Sequence, residues 1–119
     1  MSDKFRNCFI DQSDLYNYEI KWEGEVIAKA HTMSAKDKSK IESYAMRKKF
    51  VNGELEIDID SHALKIATIL AALDWWDSDR KLNEESVSML PDPVADYIFN
   101  AIQAHEAEVA AKVEDTQKN

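Results

Sequence analysis

The chain has little of what marks secreted, fibrous or membrane proteins. Its 119 residues include one cysteine, two glycines and two prolines. A single cysteine cannot form an intrachain disulfide, and so little glycine and proline excludes collagen-like and low-complexity chains. The longest apolar run, residues 66–73 interrupted by Thr68, is far shorter than the ~20 residues that cross a bilayer. With no apolar signal stretch at the start, the sequence predicts a single domain in a reducing cytoplasm, with no membrane partner.

Catalytic and metal-binding motifs are also missing. There is no glycine-rich phosphate loop, no paired cysteine or His-Glu-x-x-His spacing and no Gly-x-Ser-x-Gly elbow. A calcium loop starting at Asp77 would have Leu82 where glycine is required. The remaining candidates are isolated: Cys8 receives no role, and a structural or surface role is expected for His31, His62 and His105 rather than that of a ligand or base. We therefore expect no catalytic residue, no cofactor and no metal, and we expect that the protein is not an enzyme.

Acidic residues outnumber basic ones, 23 against 15, which gives a net charge of -8. Nucleic acid is therefore not expected as a partner, because its phosphates would be repelled. The charge is uneven, since residues 1–50 carry ten basic and eight acidic side chains while the remainder is strongly acidic. The basic run within residues 36–49 is either a solvated helix face or a docking face, on which Lys36 and Lys40 meet the acidic half of another copy or of a partner. The second interpretation predicts self-association.

Alternation of apolar and polar residues predicts three strands. Residues 16–30 alternate on both sides of Gly24, which is typical of a β-hairpin. Residues 54–60 alternate in the same way and predict a third strand that joins this hairpin. The apolar side chains of that strand are expected to face inward: Leu55, Ile57 and Ile59.

Four helices are expected, over residues 35–49, 62–76, 84–90 and from Pro93 onward. Ser34 with Asp37 three residues later is typical of a capping box, Asp60 or Ser61 is expected to cap the second helix, and Asn83 is expected to cap the third. The helix over residues 62–76 is apolar on nearly every side, so it should be central and should place Leu70, Leu73 and one tryptophan at the centre of the core.

Together these elements predict an α+β fold. A small antiparallel sheet, made of the hairpin plus one strand, packs with about four helices, and helices dominate the C-terminal half. The expected organisation is a flexible N-terminal arm over residues 1–14, one domain over residues 15–113 and a frayed tail over residues 114–119.

Two adjacent tryptophans follow the central helix, within Asp74-Trp75-Trp76-Asp77-Ser78-Asp79. On a helix they would point about 100° apart, so both are buried only if packing surrounds the helix on two sides. One of them is either part of the core or an exposed interface anchor. The candidate protein-binding residues are Lys36, Lys40, Trp75, Trp76, Asp77 and Asp79.

The order of these parts resembles that of the tail assembly chaperones of tailed bacteriophages, over residues 16–105. The matching parts are the tryptophan-bearing hairpin, Thr32-Met33-Ser34 before a charged helix, the apolar helix running into Leu73-Asp74-Trp75-Trp76-Asp77, the short helix, the stop at Pro91-Asp92-Pro93 and the last helix. The resemblance implies a non-enzymatic assembly factor in the host cytoplasm. Such a factor coats the tape measure protein and recruits tail tube protein subunits.

A different class of function is also compatible with the acidity of the chain. A small acidic regulator or inhibitor can present its carboxylates as a mimic of nucleic acid and block a nucleic-acid-binding protein. Its binding should weaken strongly with salt, whereas binding of long apolar helices should not.

Overall fold

A computed structural model describes residues 17–117, which form an antiparallel three-stranded sheet, a separate two-stranded sheet and four helices. In chain order the elements are β1 (Asn17–Trp22), β2 (Glu25–His31), α1 (Ala35–Ala45), β3 (Met46–Val51), β4 (Glu54–Ile59), α2 (Ser61–Ala72), β5 (Leu73–Trp76), α3 (Glu84–Ser88) and α4 (Asp92–Gln117). The predicted α+β class with a helix-rich C-terminal half is confirmed. The arm predicted for residues 1–14 lies outside the described residues.

β1 and β2 form the hairpin that the alternation predicts. Glu23 and Gly24 have φ angles of 51° and 84°. Two successive left-handed residues make the type I′ turn whose twist matches that of the strands it joins. Ile20 lies opposite Ala28, and both are buried on the face that the helices cover.

α1 begins where the capping box predicts and ends four residues early. The Ser34 side chain accepts a hydrogen bond from the Asp37 backbone N–H at 3.1 Å, and the Asp37 carboxylate accepts one from the Ser34 N–H at 3.0 Å. The helix ends at Ala45, since Met46 is extended, with φ of -86° and ψ of 130°. The predicted continuation to residue 49 is wrong. Pairing of residues 46–51 with β4 outweighs the helix propensity of their basic side chains.

β4 matches the predicted third strand in extent but pairs elsewhere. Its partner is β3, in a sheet separate from that of β1 and β2, so the prediction that it joins the first hairpin is wrong. Its apolar side chains are exposed and not buried: Leu55 51%, Ile57 53% and Ile59 58%. The turn at Asn52 and Gly53 sends the chain directly back along the preceding strand, which places β4 away from the core.

α2 is capped as predicted but is shorter than predicted. The Asp60 carboxylate accepts hydrogen bonds from two backbone N–H groups of its first turn, both at 3.1 Å. The helix ends at Ala72, and residues 73–76 form β5, antiparallel to β2. The predicted helix up to Trp76 is therefore wrong. The open edge of β2 offers these residues strand hydrogen bonds, which tertiary context favours over helix propensity.

The core lies between the three-stranded sheet and the helices. Its largest buried members include Ile20, Ile41, Ile66, Ile69, Leu73, Trp76, Val87, Ile98 and Ile102. Leu73 and Trp76 are 5% and 8% exposed, as predicted for Leu73 and for one of the tryptophans. Leu70 is only partly buried at the edge of this cluster, so its predicted central position is wrong. Ile69, with no exposed surface, takes that position, because one residue along a helix is a rotation of about 100°.

α3 and α4 complete the fold. The Asn83 side chain accepts a hydrogen bond from the Ser86 backbone N–H at 2.9 Å, which caps α3 as predicted. α3 ends at Ser88, two residues earlier than expected. α4 buries Ile98 and Ile102 and stays helical to Gln117, within the segment that the sequence predicts to fray.

Candidate protein-binding surface

The β3–β4 hairpin carries an apolar face that the described part of the chain leaves uncovered. Its turn residues, Asn52 and Gly53, have φ angles of 53° and 82°, again a type I′ turn. Residues opposite each other in an antiparallel pair share one face. On the first face Met46 lies opposite Ile59, Lys48 opposite Ile57 and Phe50 opposite Leu55. Phe50 is 77% exposed, and the apolar β4 residues are each more than half exposed.

The second face of the same hairpin is charged. Arg47 lies opposite Asp58, Lys49 opposite Glu56 and Val51 opposite Glu54. Opposite charges directly across a strand pair favour this register. The Arg47 guanidinium also lies 3.5 Å from the Asp60 carboxylate at the base of the hairpin. The hairpin is thus held in register by its charged face while its apolar face meets solvent.

Sequence reasoning missed this surface, although the chain contained a signal for it. Asn-Gly between two apolar or alternating segments is the strongest short-range hairpin signal. Here Asn52-Gly53 follows Phe50 and Val51 and precedes an alternating strand. The helix predicted over residues 35–49 occupies most of β3, so the prediction lacks this strand and the exposed Phe50.

The structure separates the two tryptophans of the candidate site. Trp76 is buried, and its Nε1 donates a hydrogen bond to the Arg80 carbonyl at 2.7 Å. Trp75 is 44% exposed on the other face of β5, and the Lys29 ammonium lies 5.6 Å from the centre of its ring. Of the two, Trp75 is the side chain that can serve as an interface anchor.

The acidic candidates after β5 lie on the surface. Asp77 and Asp79 are both exposed, and the Asp77 backbone N–H donates to the Ile27 carbonyl at 2.8 Å. Asp77 also borders a cavity of about 470 Å³. The cavity is lined mainly by apolar side chains, among them Trp22, Ile27, Trp76, Leu90, Val94 and Ile98. Its lining fits an apolar group better than a charged substrate.

Lys36 and Lys40 are exposed on α1, as predicted for a solvent-facing helix. The other basic residues of the predicted helix lie on two different elements of the structure. Lys38 lies 3.8 Å from Glu106 of α4, while Arg47, Lys48 and Lys49 lie on β3. The positive charge of this region therefore belongs to two surfaces, one on α1 and one on the β3–β4 hairpin.

His31 links α1 to β5 and so joins the two groups of candidate residues. Its Nδ1 lies 2.8 Å from the Asp74 carboxylate and its Nε2 lies 3.1 Å from the Asp37 carboxylate. Burial lowers the pKa of His31, but the two carboxylates outweigh burial and hold that pKa above the usual 6.5. Burial raises the pKa of Asp37. Hydrogen bonds from Ser34 and His31 lower that pKa by more than burial raises it, so the net shift is downward.

A second polar cluster attaches α4 to the first hairpin. His105 stacks on Tyr18 with ring centres 3.7 Å apart, and its Nε2 lies 2.7 Å from the Thr32 hydroxyl oxygen. Burial holds the pKa of His105 below its usual value. The buried Tyr18 hydroxyl has no hydrogen-bond partner among residues 17–117, and burial raises its pKa. Glu106 accepts a hydrogen bond from the Met33 N–H at 2.9 Å, so the cluster serves to hold elements together.

Within residues 17–117, no group of three or more histidine, cysteine or acidic side chains is arranged to hold a metal ion. The helices of this part of the chain also include none that is long and apolar enough to span a membrane. Comparison of the chain with protein-family models, with curated proteins and with solved structures found no match.

Proposed function

We propose that this protein is a non-enzymatic phage tail assembly chaperone, which binds the tape measure protein in the host cytoplasm and recruits tail tube protein subunits. The observation that carries the proposal is the uncovered apolar face of the β3–β4 hairpin. On this face Phe50 is 77% exposed, and Leu55, Ile57 and Ile59 are each more than half exposed.

Large apolar side chains exposed together on one face are a common mark of a protein interaction site. The apolar face of two paired strands can pack against the apolar side of an amphipathic helix, whose contacts recur every three or four residues. A tape measure protein offers such helices along its length. Trp75, exposed on β5, provides a second apolar contact outside the hairpin.

The charge pattern favours this function over mimicry of nucleic acid. On the second face of the hairpin, Glu56 and Asp58 lie directly opposite Lys49 and Arg47, so a basic side chain faces each of these two carboxylates. Asp92 and Asp96 likewise lie beside the Lys65 ammonium. A mimic of phosphates needs unneutralised carboxylates in a row.

The test is a binding experiment with the long helical protein encoded beside this gene, first identified by reading the neighbouring genes. Wild type is compared with a Phe50→Ser/Ile57→Ser double variant, which makes the apolar face polar. Val51→Ser is the matched control, because Val51 lies on the charged face of the same hairpin. We expect the double variant to lose binding by at least about tenfold and the control to retain it.

Salt concentration separates the two function classes. Apolar binding should persist as salt is raised, since screening acts on charges. Binding that persists in the double variant and disappears in high salt would contradict the chaperone proposal and support a nucleic-acid mimic, with a basic protein as its target.

A further inference from the structure

Both edges of the β3–β4 hairpin are open. Its sheet has two strands, and neither strand pairs with another strand among residues 17–117. In a hairpin with a two-residue turn, alternate residues exchange hydrogen bonds with the partner strand and the others point their backbone groups outward. By this register the outward groups belong to Lys48 and Phe50 on β3 and to Leu55, Ile57 and Ile59 on β4, while the Met46 N–H donates to the Glu42 carbonyl at the end of α1. Open edges of this kind pair with another strand unless something blocks them.

The two edges carry opposite charge. β3 contributes Arg47, Lys48 and Lys49 and has no acidic residue, whereas β4 contributes Glu54, Glu56 and Asp58 and has no basic residue. All of these side chains are exposed. Lysine on an edge strand commonly blocks pairing with other chains by charge. Here, however, the acidic edge of the same hairpin complements the basic one.

We propose that a second copy of this chain adds the β3 edge of its hairpin to the β4 edge of the first, in antiparallel orientation. With the two turns aligned, Glu56 of one copy lies between Lys49 of its own hairpin and Lys49 of the second copy. Asp58 lies in the same way between two copies of Arg47. The outward backbone groups of Leu55 and Ile57 find their partners on Phe50 and Lys48 of the added strand.

The alternative two-fold pairings are disfavoured. Pairing β4 with β4 places Glu54, Glu56 and Asp58 opposite one another, and pairing β3 with β3 does the same with three basic residues. Like charges directly across a strand pair are destabilising. The contact is therefore heterologous, and each copy retains one free edge, so that further copies add in a ring or a row.

The arrangement has a consequence for the apolar face. Hairpins that pair edge to edge present their apolar faces on the same side of the extended sheet. Phe50 and Leu55 of successive copies therefore form one continuous apolar strip. This inference goes beyond the proposed function, because self-association requires no tape measure protein. Loss of self-association also leaves the apolar face of each single copy available for binding.

The decisive variant exchanges the charges of the two strands: Arg47→Glu, Lys49→Glu, Glu56→Lys and Asp58→Lys together. Opposite charges still face each other across its own hairpin, although Arg47→Glu removes the ion pair with Asp60, and a thermal melt checks that the variant folds. Sedimentation velocity then follows a labelled tracer in an excess of unlabelled protein, at low salt and up to high micromolar concentration. We expect the sedimentation coefficient of labelled wild type to rise in an excess of unlabelled wild type. The coefficient of the labelled exchanged variant should rise in the same way in an excess of unlabelled exchanged variant. Labelled wild type should show no rise in an excess of the exchanged variant, because like charges then meet at both edges.

Two further variants locate the contact. Lys48→Pro removes an outward N–H from the β3 edge, and Lys48→Ala keeps it, so only the first should reduce self-association. A Lys36→Glu/Lys40→Glu variant alters α1 and should leave assembly intact.

The proposal is overturned if wild type remains monomeric, if wild-type and exchanged chains mix freely, or if Lys48→Pro assembles as wild type does. It is also overturned if the α1 variant alone dissolves the assembly, or if assembly stops at a salt-insensitive dimer, which indicates packing of two apolar faces.

Discussion

Trp75 and Trp76 are neighbours in the chain and point to opposite sides of β5. Trp76 is 8% exposed and hydrogen-bonded to the Arg80 carbonyl, whereas Trp75 is 44% exposed beside Lys29. Successive side chains of a strand alternate between its faces, so the change from helix to strand at Leu73 separates the two rings. One tryptophan thus belongs to the core and the other to the surface.

The two tryptophans should therefore differ in their contribution to stability. Trp76→Ala should lower the free energy of unfolding by about 3–5 kcal/mol, because it removes a large buried ring and its hydrogen bond. Trp75→Ala should change it by less than about 1 kcal/mol. Denaturant titration of both variants measures the difference. Equal losses would indicate that both rings are buried, as on a helix packed on two sides.

The same substitution in the core and on the hairpin tests whether the apolar face is uncovered. Ile69 has no exposed surface and Ile57 is 53% exposed. Ile69→Ala should cost about 2–5 kcal/mol of unfolding free energy, and Ile57→Ala less than about 1 kcal/mol. The titration is made at a concentration where the chain is monomeric, so that self-association does not contribute. A cost at Ile57 similar to that at Ile69 would show that another part of the chain covers the hairpin.

The two packed histidines should give stability a maximum near pH 6.5. The pKa of His31 is raised in the folded state, so its contribution is complete below 6.5 and is lost as the pH rises through the folded pKa. The pKa of His105 is lowered, so protonation of the unfolded chain reduces stability as the pH falls below 6.5.

Unfolding titrations at a series of pH values check this stability profile, with one variant for each side of pH 6.5. His31→Gln should flatten the decline above pH 6.5, and His105→Gln should flatten the decline below it. Each variant serves as the control for the other. A variant that alters the profile on the opposite side of pH 6.5 would contradict the assignment.

Removal of the hydroxyl should affect the free energy of unfolding differently at Tyr18 and Tyr97. The buried Tyr18 hydroxyl lacks a hydrogen-bond partner in the part of the chain that the structure describes, so Tyr18→Phe should leave the unfolding free energy unchanged or raise it. The Tyr97 hydroxyl donates to the Lys21 carbonyl, so Tyr97→Phe should lower it by about 0.5–1.5 kcal/mol. Thermal or denaturant unfolding measures both. A marked loss at Tyr18 would mean that its hydroxyl has a partner.

Local sequence patterns were sufficient to predict an element wherever the interactions that stabilise it lie within a few residues of one another in the chain. The Ser34–Asp37 capping box, the Asp60 and Asn83 caps and the first hairpin are confirmed for this reason. Each depends on a side chain that satisfies backbone groups of its own turn, or on a two-residue turn that aligns adjacent strands. The α+β class follows from the same signals.

By itself, then, the sequence determined the class of the fold, the starts of the helices and the burial of Leu73. The tertiary structure decided the ends of α1 and α2, since Met46 is extended and pairs with Ile59 of β4, and Leu73 is extended and pairs with Ala30 of β2. It also decided that Trp75 and the hairpin residues Phe50 and Ile57 are exposed. Alternation shows that a strand has one apolar face, but only the packing of the whole chain determines whether anything covers that face.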